Sequence, residues 1–343
     1  MDPPTHGLLG AALGQACFGR SLGRRALLWG AFGAMLPDVD VVMGATGPMG
    51  DWLYHRGITH SLWLEPLVGV LLGAAVWRWQ RRKDPDRAGP LAHWLWLFVL
   101  TLLSHPLLDL CTSYGTVLLS PFSDRRFAID AVAIIDPVYS LPLAAALVVG
   151  IWSGVPSRRA RASAGLALGL STAYLAHGLR LNHEAEARAR AELAAEGVRD
   201  ADVSAYPTLL QPYLRRLVAR DGDEIRVGWL SLWSPRRIEW RSFREPRDEL
   251  VLEARRTREG RLFEWFTSGQ TAAALVTTSG GTVVEIDDLR YGFPSEPQRG
   301  LWGIRVRFDA GGRVVPPVDR VDRPLPESAA ALLLRIWRDT FGA

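Results

Sequence analysis

Hydrophobic and polar positions divide the chain into two unlike halves. Up to about residue 181 it is a series of apolar runs with polar punctuation; from His183 onward it is charged, Arg-rich and alternating. The runs Leu62 to Trp79, Leu91 to Leu110, Val132 to Trp152 and Ala162 to Leu181 each approach the ~20 residues a helix needs to cross the hydrocarbon core of a bilayer. Leu27 to Leu36 predicts a further apolar helix, broken at Pro37. Gly7 to Phe18 is too short to span alone and predicts a half-helix or interfacial segment, N-capped by Thr5. The expected fold is a membrane α-helical bundle of about four to five hydrophobic helices over residues 1–182, followed by a soluble α+β extramembrane domain over residues 183–343.

The second half carries a different period. His183 to Gly197 predicts a charged helix continuing from the last apolar run. Alternation then predicts strands at Ile225 to Trp233, Ile238 to Phe243, Leu262 to Thr267, Thr282 to Leu289 and Leu301 to Phe308. In the last, Trp302, Ile304, Val306 and Phe308 share one face and Arg305 and Arg307 the other. Gly280-Gly281 and Gly311-Gly312 predict turns, and Glu327 to Thr340 a final amphipathic helix.

Charge orients the apolar runs. The net charge of +4 is small, and basic residues gather at the ends of apolar runs instead of forming a stripe, a pattern of membrane proteins and not of nucleic-acid binders. Arg20 to Arg25, Arg78 to Arg87 and Arg158 to Arg161 are expected to be cytoplasmic. Alternation then places Pro37 to Ser61, Thr112 to Ala131 and the C-terminal half on the opposite, external face, with Arg125 and Arg126 against the rule. Met1-Asp2-Pro3-Pro4 lacks the basic region of a cleavable signal, so targeting is expected to rest on the apolar segments. Cys17 and Cys111 make no CxxC and exclude a thiolate zinc site.

On that topology the chemistry collects at one end of the bundle. His6, Asp38, Asp40, His55, His60, His105 and Asp109 all fall at its external end, where ionisable groups are costly unless they pair, meet water or bind a metal. His and Asp together suit a divalent cation, zinc first and manganese second. His105 and Asp109 lie four apart, one above the other on a helix. Asp38 and Asp40 would point the same way on an extended segment, or serve as cap and turn residues after Pro37. His55 and His60, five apart, would flank a turn, with Thr59 and Ser61 satisfying backbone groups. Arg56 suits an anionic group or a salt bridge to Asp38 or Asp51. Asp136, before Pro137, is either an N-cap or a partner to a ligating histidine, and joins Arg56 as a catalytic candidate. No G-x-S-x-G and no H-E-x-x-H is present.

Thr5-His6-x-x-x-Gly10, Leu36-Pro37-Asp38-x-Asp40, His55-Arg56-Gly57-x-Thr59-His60-Ser61, His105-Pro106-x-x-Asp109 and Pro121-Phe122 resemble the YdjM family of bacterial membrane-associated, metal-dependent hydrolases, known from an SOS (LexA)-regulated inner-membrane protein. The resemblance covers roughly residues 1 to 180; Phe263 to Gly292 resembles the C-terminal extension of longer members. It implies a multi-pass membrane protein with a His/Asp metal site. A more distant similarity is to zinc-dependent phospholipase C proteins. The expected activity is hydrolysis of a phosphoester or ester, lipid-like, at the external membrane face, with the bilayer as partner and no nucleic acid. The alternative is a non-catalytic metal-binding scaffold or transporter whose external domain engages a partner.

Overall fold

The computed structural model describes residues 1–278, 281–324 and 328–342. The chain forms two compact units, Met1–Gly44 with Tyr54–Gly178, and Ala45–Leu53 with Leu179–Ala343. The first is helical and the second is α+β.

In unit 1, α1 (Pro3–Leu13) starts on a proline, which the first turn tolerates because its N–H would be unpaired anyway. Its N-cap is Asp2, whose carboxylate accepts from Thr5 N–H at 3.1 Å, three residues earlier than the expected Thr5 cap. A π turn (Gly14–Phe18) and α2 (Gly19–Leu22) lead to α3 (Arg24–Met35). Helices α1 and α3 cross at Gly10 and Gly30, where a Cβ on either would meet the other's backbone carbonyl. Such small-residue crossings let helix backbones approach closely in lipid. Beyond Met35 the chain tightens into a 3-10 run, Leu36–Thr46. The short α4 (Gly50–Tyr54), whose residues up to Leu53 belong to unit 2, and a 3-10 turn (Ile58–His60) precede α5 (Leu64–Lys83), α6 (Leu91–Asp109), α7 (Pro137–Ser153) and α8 (Arg158–Ala195), which belongs to unit 2 from Leu179 on.

Two described helices are long and apolar enough to cross a membrane, Arg24–Thr46 and Leu91–Asp109; a third is gained if Gly50–His60 and Leu64–Lys83, bent by 68°, form one broken span. The expected four to five spans are not reached among the described residues. The run from Val132 becomes helical only at Pro137, because Asp136 caps there, and α7 is left with 17 residues. The run from Ala162 lies inside the 38-residue α8, whose other residues are heavily charged. Large apolar side chains stand on the outside of this unit, Leu28, Leu71, Leu141 and Trp152 among them, while His6, Gln15, His60, His105 and Asp109 are fully buried. Polar inside and apolar outside is the arrangement a lipid solvent favours.

Unit 2 contains two four-stranded antiparallel sheets in sequence order: β1 (Asp202–Pro207), β2 (Leu214–Asp221), β3 (Glu224–Ser231), β4 (Arg241–Arg244); and β5 (Thr271–Thr278), β6 (Gly281–Asp288), β7 (Trp302–Phe308), β8 (Val314–Asp322). Ala185, Ala189 and Leu193 of α8 pack on Val203, Ala205 and Leu217 of the first sheet. Ile304, Val306 and Phe308 are buried as the alternation of β7 predicts, and Arg305 turns away to Glu285. Gly311 and Gly312 make the expected turn, Gly312 with φ +74. Gly280 of the other expected turn and Glu327 of the last helix lie outside the described residues; α11 runs Ala329–Phe341.

One expected strand is a helix. Leu262 to Thr267 lies in α10 (Arg258–Thr267), which follows α9 (Glu249–Arg256) and is N-capped by Thr257. Phe263, Phe266 and Thr267 are buried at helical spacing, and a short apolar run does not by itself distinguish the two periods. Phe263 and Phe266 receive Trp52, which stands far upstream in sequence; it stacks on Phe266 and lies tilted beside Phe263, with ring centroids 5.3 and 5.0 Å away.

Candidate metal centre

Four elements of unit 1 deliver the polar cluster. His6 sits on the first turn of α1; Asp38 and Asp40 on the 3-10 run; His60 closes the 3-10 turn before α5; His105 and Asp109 share one face of α6 at the end of the helix. The segment is 3-10 and not extended, and the two aspartates face different nitrogens of His60 while keeping ligand atoms within 4.8 Å of each other. Asp38 Oδ1 lies 3.3 Å from His105 Nε2 and 3.7 Å from His60 Nε2. Asp40 Oδ2 faces the other ring nitrogen, His60 Nδ1, at 3.4 Å.

Following the protons shows what the cluster lacks. His105 Nδ1 lies 2.6 Å from the Ala34 carbonyl, which only accepts, so Nδ1 carries the hydrogen and Nε2 of the neutral ring presents a lone pair. Thr59 Oγ1 donates to Asp40 Oδ2 at 2.5 Å, so it can only accept from His60 Nδ1 at 3.0 Å. A neutral His60 ring then leaves Nε2 with a lone pair as well, and the two Nε2 atoms face each other at 2.9 Å. Asp109 Oδ2 completes the group, 3.3 Å from His60 Nε2 and 3.5 Å from His105 Nε2, with no hydrogen bond of its own. Ligand atoms of Asp38, His60, His105 and Asp109 all lie within 4.8 Å of one another. A tetrahedral zinc with bonds of about 2.0–2.1 Å would separate its ligand atoms by about 3.3 Å. Convergent lone pairs at that spacing call for a shared cation, and these residues fit a divalent metal.

The neighbours hold this geometry. Asp40 is engaged on both oxygens: His55 Nδ1 at 2.7 Å on Oδ1, and Arg56 N–H at 3.0 Å with the Thr59 hydroxyl on Oδ2. A carboxylate behind a histidine fixes the ring's tautomer and direction. Asp38, Asp40 and His55 also offer ligand atoms within 4.8 Å of one another. His6 stacks on His105 with centroids 3.7 Å apart and turns Nε2 to Asp109 Oδ1 at 3.1 Å, beside the four convergent atoms. The Met1 amino group contacts the same oxygen.

Arg56 differs from both of its sequence readings. Buried, and in the left-handed region at φ +60, it turns inward: Nε stands 3.0 Å from Asp109 Oδ2 and Nη1 donates to Thr112 Oγ1 at 2.8 Å, with the guanidinium over Tyr114. It thus pairs with Asp109, where the sequence offered Asp38 or Asp51 as salt-bridge partners. Asp136 acts as a cap: it accepts from Val138 and Tyr139 N–H and, at 2.7 Å, from the Tyr174 hydroxyl. Ser61 accepts from Trp63 and Leu64 N–H at the head of α5, as expected, but Thr59 serves Asp40 and not the backbone.

Two supporting residues escaped the sequence reading. Thr112 links Arg56 to the Asp109 carbonyl, and hydroxyls give no periodic signal. Glu65 is buried with Oε2 unpaired; its signal was a carboxylate at the head of an apolar run.

Residues 1–185, just over half of the chain, match the family described as YdjM inner membrane protein. The chain is 39% identical over 129 residues to the inner membrane protein YbcI of Escherichia coli (strain K12), covering 36% of this chain and 69% of YbcI. It is 26% identical over 163 residues to the uncharacterized protein YfhP of Bacillus subtilis (strain 168), covering 46% of this chain and 48% of YfhP, about half that relative's length. No solved structure matches. The family match takes in every side chain of the buried cluster, and the outward-facing apolar helices agree with its membrane setting. The chain belongs to the YdjM family of inner membrane proteins.

Proposed function

We propose that this chain is a multi-pass, metal-dependent hydrolase of the inner membrane. Zinc is the first candidate metal and manganese the second; the substrate is a phosphoester or ester, lipid-like, taken at the external face, with the C-terminal unit extracytoplasmic. The observation that carries the reading is the meeting of four lone-pair-bearing atoms from Asp38, His60, His105 and Asp109. A divalent ion held there supplies Lewis acidity, polarising an ester or phosphoester oxygen and acidifying water. The chain's residues prepare it: Asp40 and Thr59 fix the His60 ring, the Ala34 carbonyl fixes His105, and Arg56 holds Asp109 in place.

Metal analysis of the detergent-purified protein tests the reading, wild type beside His60→Ala and Asp109→Ala. The expected result is about one or more equivalents in the wild type, little in either variant, and parallel loss of hydrolysis across a panel of lipid phosphoesters and esters. A folded wild type that stays metal-free after supplementation overturns it.

One observation favours a second reading, a structural metal site in a scaffold. His60, His105 and Asp109 are fully buried, and Asp38 is the one member of the four that reaches the surface, at 10% exposure. Structural sites are closed and catalytic ones keep an open position. Exchange of an exogenous anion onto the cobalt-loaded protein separates the two: a spectral shift supports the enzyme, an inert spectrum the scaffold.

A further inference from the structure

The chain leaves unit 1 and returns to it between two halves of the metal centre. Asp38 and Asp40 precede Ala45, and His55, Arg56 and His60 follow Leu53; residues 45–53 between them belong to unit 2. We propose that this segment is a tether through which unit 2 sets the geometry of the metal centre, with Trp52 and Arg320 as positioning residues. The inference rests on the metal-centre reading above.

The segment is held at several points. The Trp52 side chain is 1% exposed and stacks against Phe266 with an interplanar angle of 14°, beside Phe263. Arg320, on β8, grips three successive places: Nη1 donates to the Pro48 carbonyl at 3.0 Å, the same nitrogen pairs with the Asp51 carboxylate, and the guanidinium lies 4.5 Å from the Trp52 ring centroid. Asp322 accepts from Arg320 Nε at 2.8 Å and keeps the guanidinium aimed.

The physical consequence concerns entropy. Ordering a free residue costs about 1–2 kcal/mol of backbone entropy, so an unanchored connection between Asp40 and His55 would oppose formation of the site between its ends. Fixing the middle of the connection, with Trp52 only three residues before His55, removes most of that freedom beforehand. His55 and the Arg56 N–H then reach Asp40, and Asp40 in turn orients His60. Unit 2 therefore acts on the metal without supplying a ligand.

The test uses the full-length chain in detergent, stripped of metal and titrated with Co2+ by visible absorption and with Zn2+ by chelator competition. Trp52→Ala and Arg320→Ala are expected to weaken metal affinity by roughly 10- to 100-fold, the range seen when a supporting partner is removed, and to alter the cobalt spectrum. Trp52→Phe, which keeps a ring against Phe263 and Phe266, is expected to bind nearly as wild type. Val203→Ala destabilises unit 2 through a separate core and should leave affinity unchanged. Wild-type affinity and spectrum in both Trp52→Ala and Arg320→Ala would overturn the tether while leaving the metal centre standing. So would an equal loss in Val203→Ala. A wild-type chain that binds neither ion would overturn the metal centre itself and the tether with it.

Discussion

The two units bury charge in opposite ways. In unit 2 the buried carboxylates of Glu285 and Asp288 meet arginines, and the buried Arg215 meets an amide oxygen. Arg290 donates to both oxygens of Asp288 at 3.0 and 2.8 Å, Glu285 is shared by Arg299, Arg305 and Arg323, and Arg215 donates to Asn182 at 3.0 Å. These carboxylates have donors around them as they stand. In unit 1 two imidazole nitrogens and two carboxylate oxygens converge, and with both rings neutral no hydrogen lies between them, so the inventory does not close. Burial alone therefore does not mark a functional site. An excess of acceptors does, because buried lone pairs without partners are costly and a cation is what settles them.

The sharpest way to break this contrast is to remove one carboxylate from each unit. Asp288→Ala removes the carboxylate that Arg290 grips, and Asp109→Ala the one beside Arg56; each should cost its own unit about 3–5 kcal/mol in chemical denaturation. Only Asp109→Ala should also abolish metal binding. Loss of metal in Asp288→Ala, with unit 1 still folded, would mean that the two networks are not distinct.

A smaller effect should follow from chelation. A metal at 100 times its dissociation constant stabilises the state that binds it by about 2.7 kcal/mol. Adding chelator should thus lower the unfolding midpoint of unit 1 and leave that of unit 2 in place, read by site-specific proteolysis or hydrogen exchange. Equal shifts in both units would count against the comparison.

An effect of similar size belongs to unit 2 and to pH. Burial pushes the Asp287 carboxyl up to about 6, against the pull of Arg323 beside it and the Gly300 N–H. The folded chain holds that proton more tightly than the unfolded one does. The associated stability is full below about pH 4 and is lost as pH rises through about 6, amounting to at most about 3 kcal/mol. Asp287→Asn should flatten this slope between pH 4 and 7. An unchanged slope would assign it to another group.

Much of the site was legible in the order of residues. His105 and Asp109 were readable as a pair because a helix places residues four apart on one face, and α6 is that helix. The grouping of His60 and Asp38 with them followed from where apolar runs end. The roles of Arg56 and Asp40 were not legible. A left-handed backbone at Arg56 and a 3-10 run at Asp38 and Asp40 decide where those side chains point, and neither conformation has a periodic signature in the sequence. Leu262 to Thr267 shows the same limit in reverse, since its short apolar run suits either period until the N-cap at Thr257 and the burial of Phe263 and Phe266 select a helix.

By itself the sequence determined that the first half is apolar-helical with its ionisable residues at helix ends, that the second half alternates, and that the first 185 residues carry a family's motifs. These are properties of local composition and period, which a chain carries before it folds. Only the tertiary structure decided that four lone pairs meet, that Arg56 faces inward, and that Ala45–Leu53 belongs with the second unit. Each depends on contacts between residues far apart in sequence. Trp52 finds Phe263 and Phe266 more than two hundred positions away, and no local pattern encodes such a meeting.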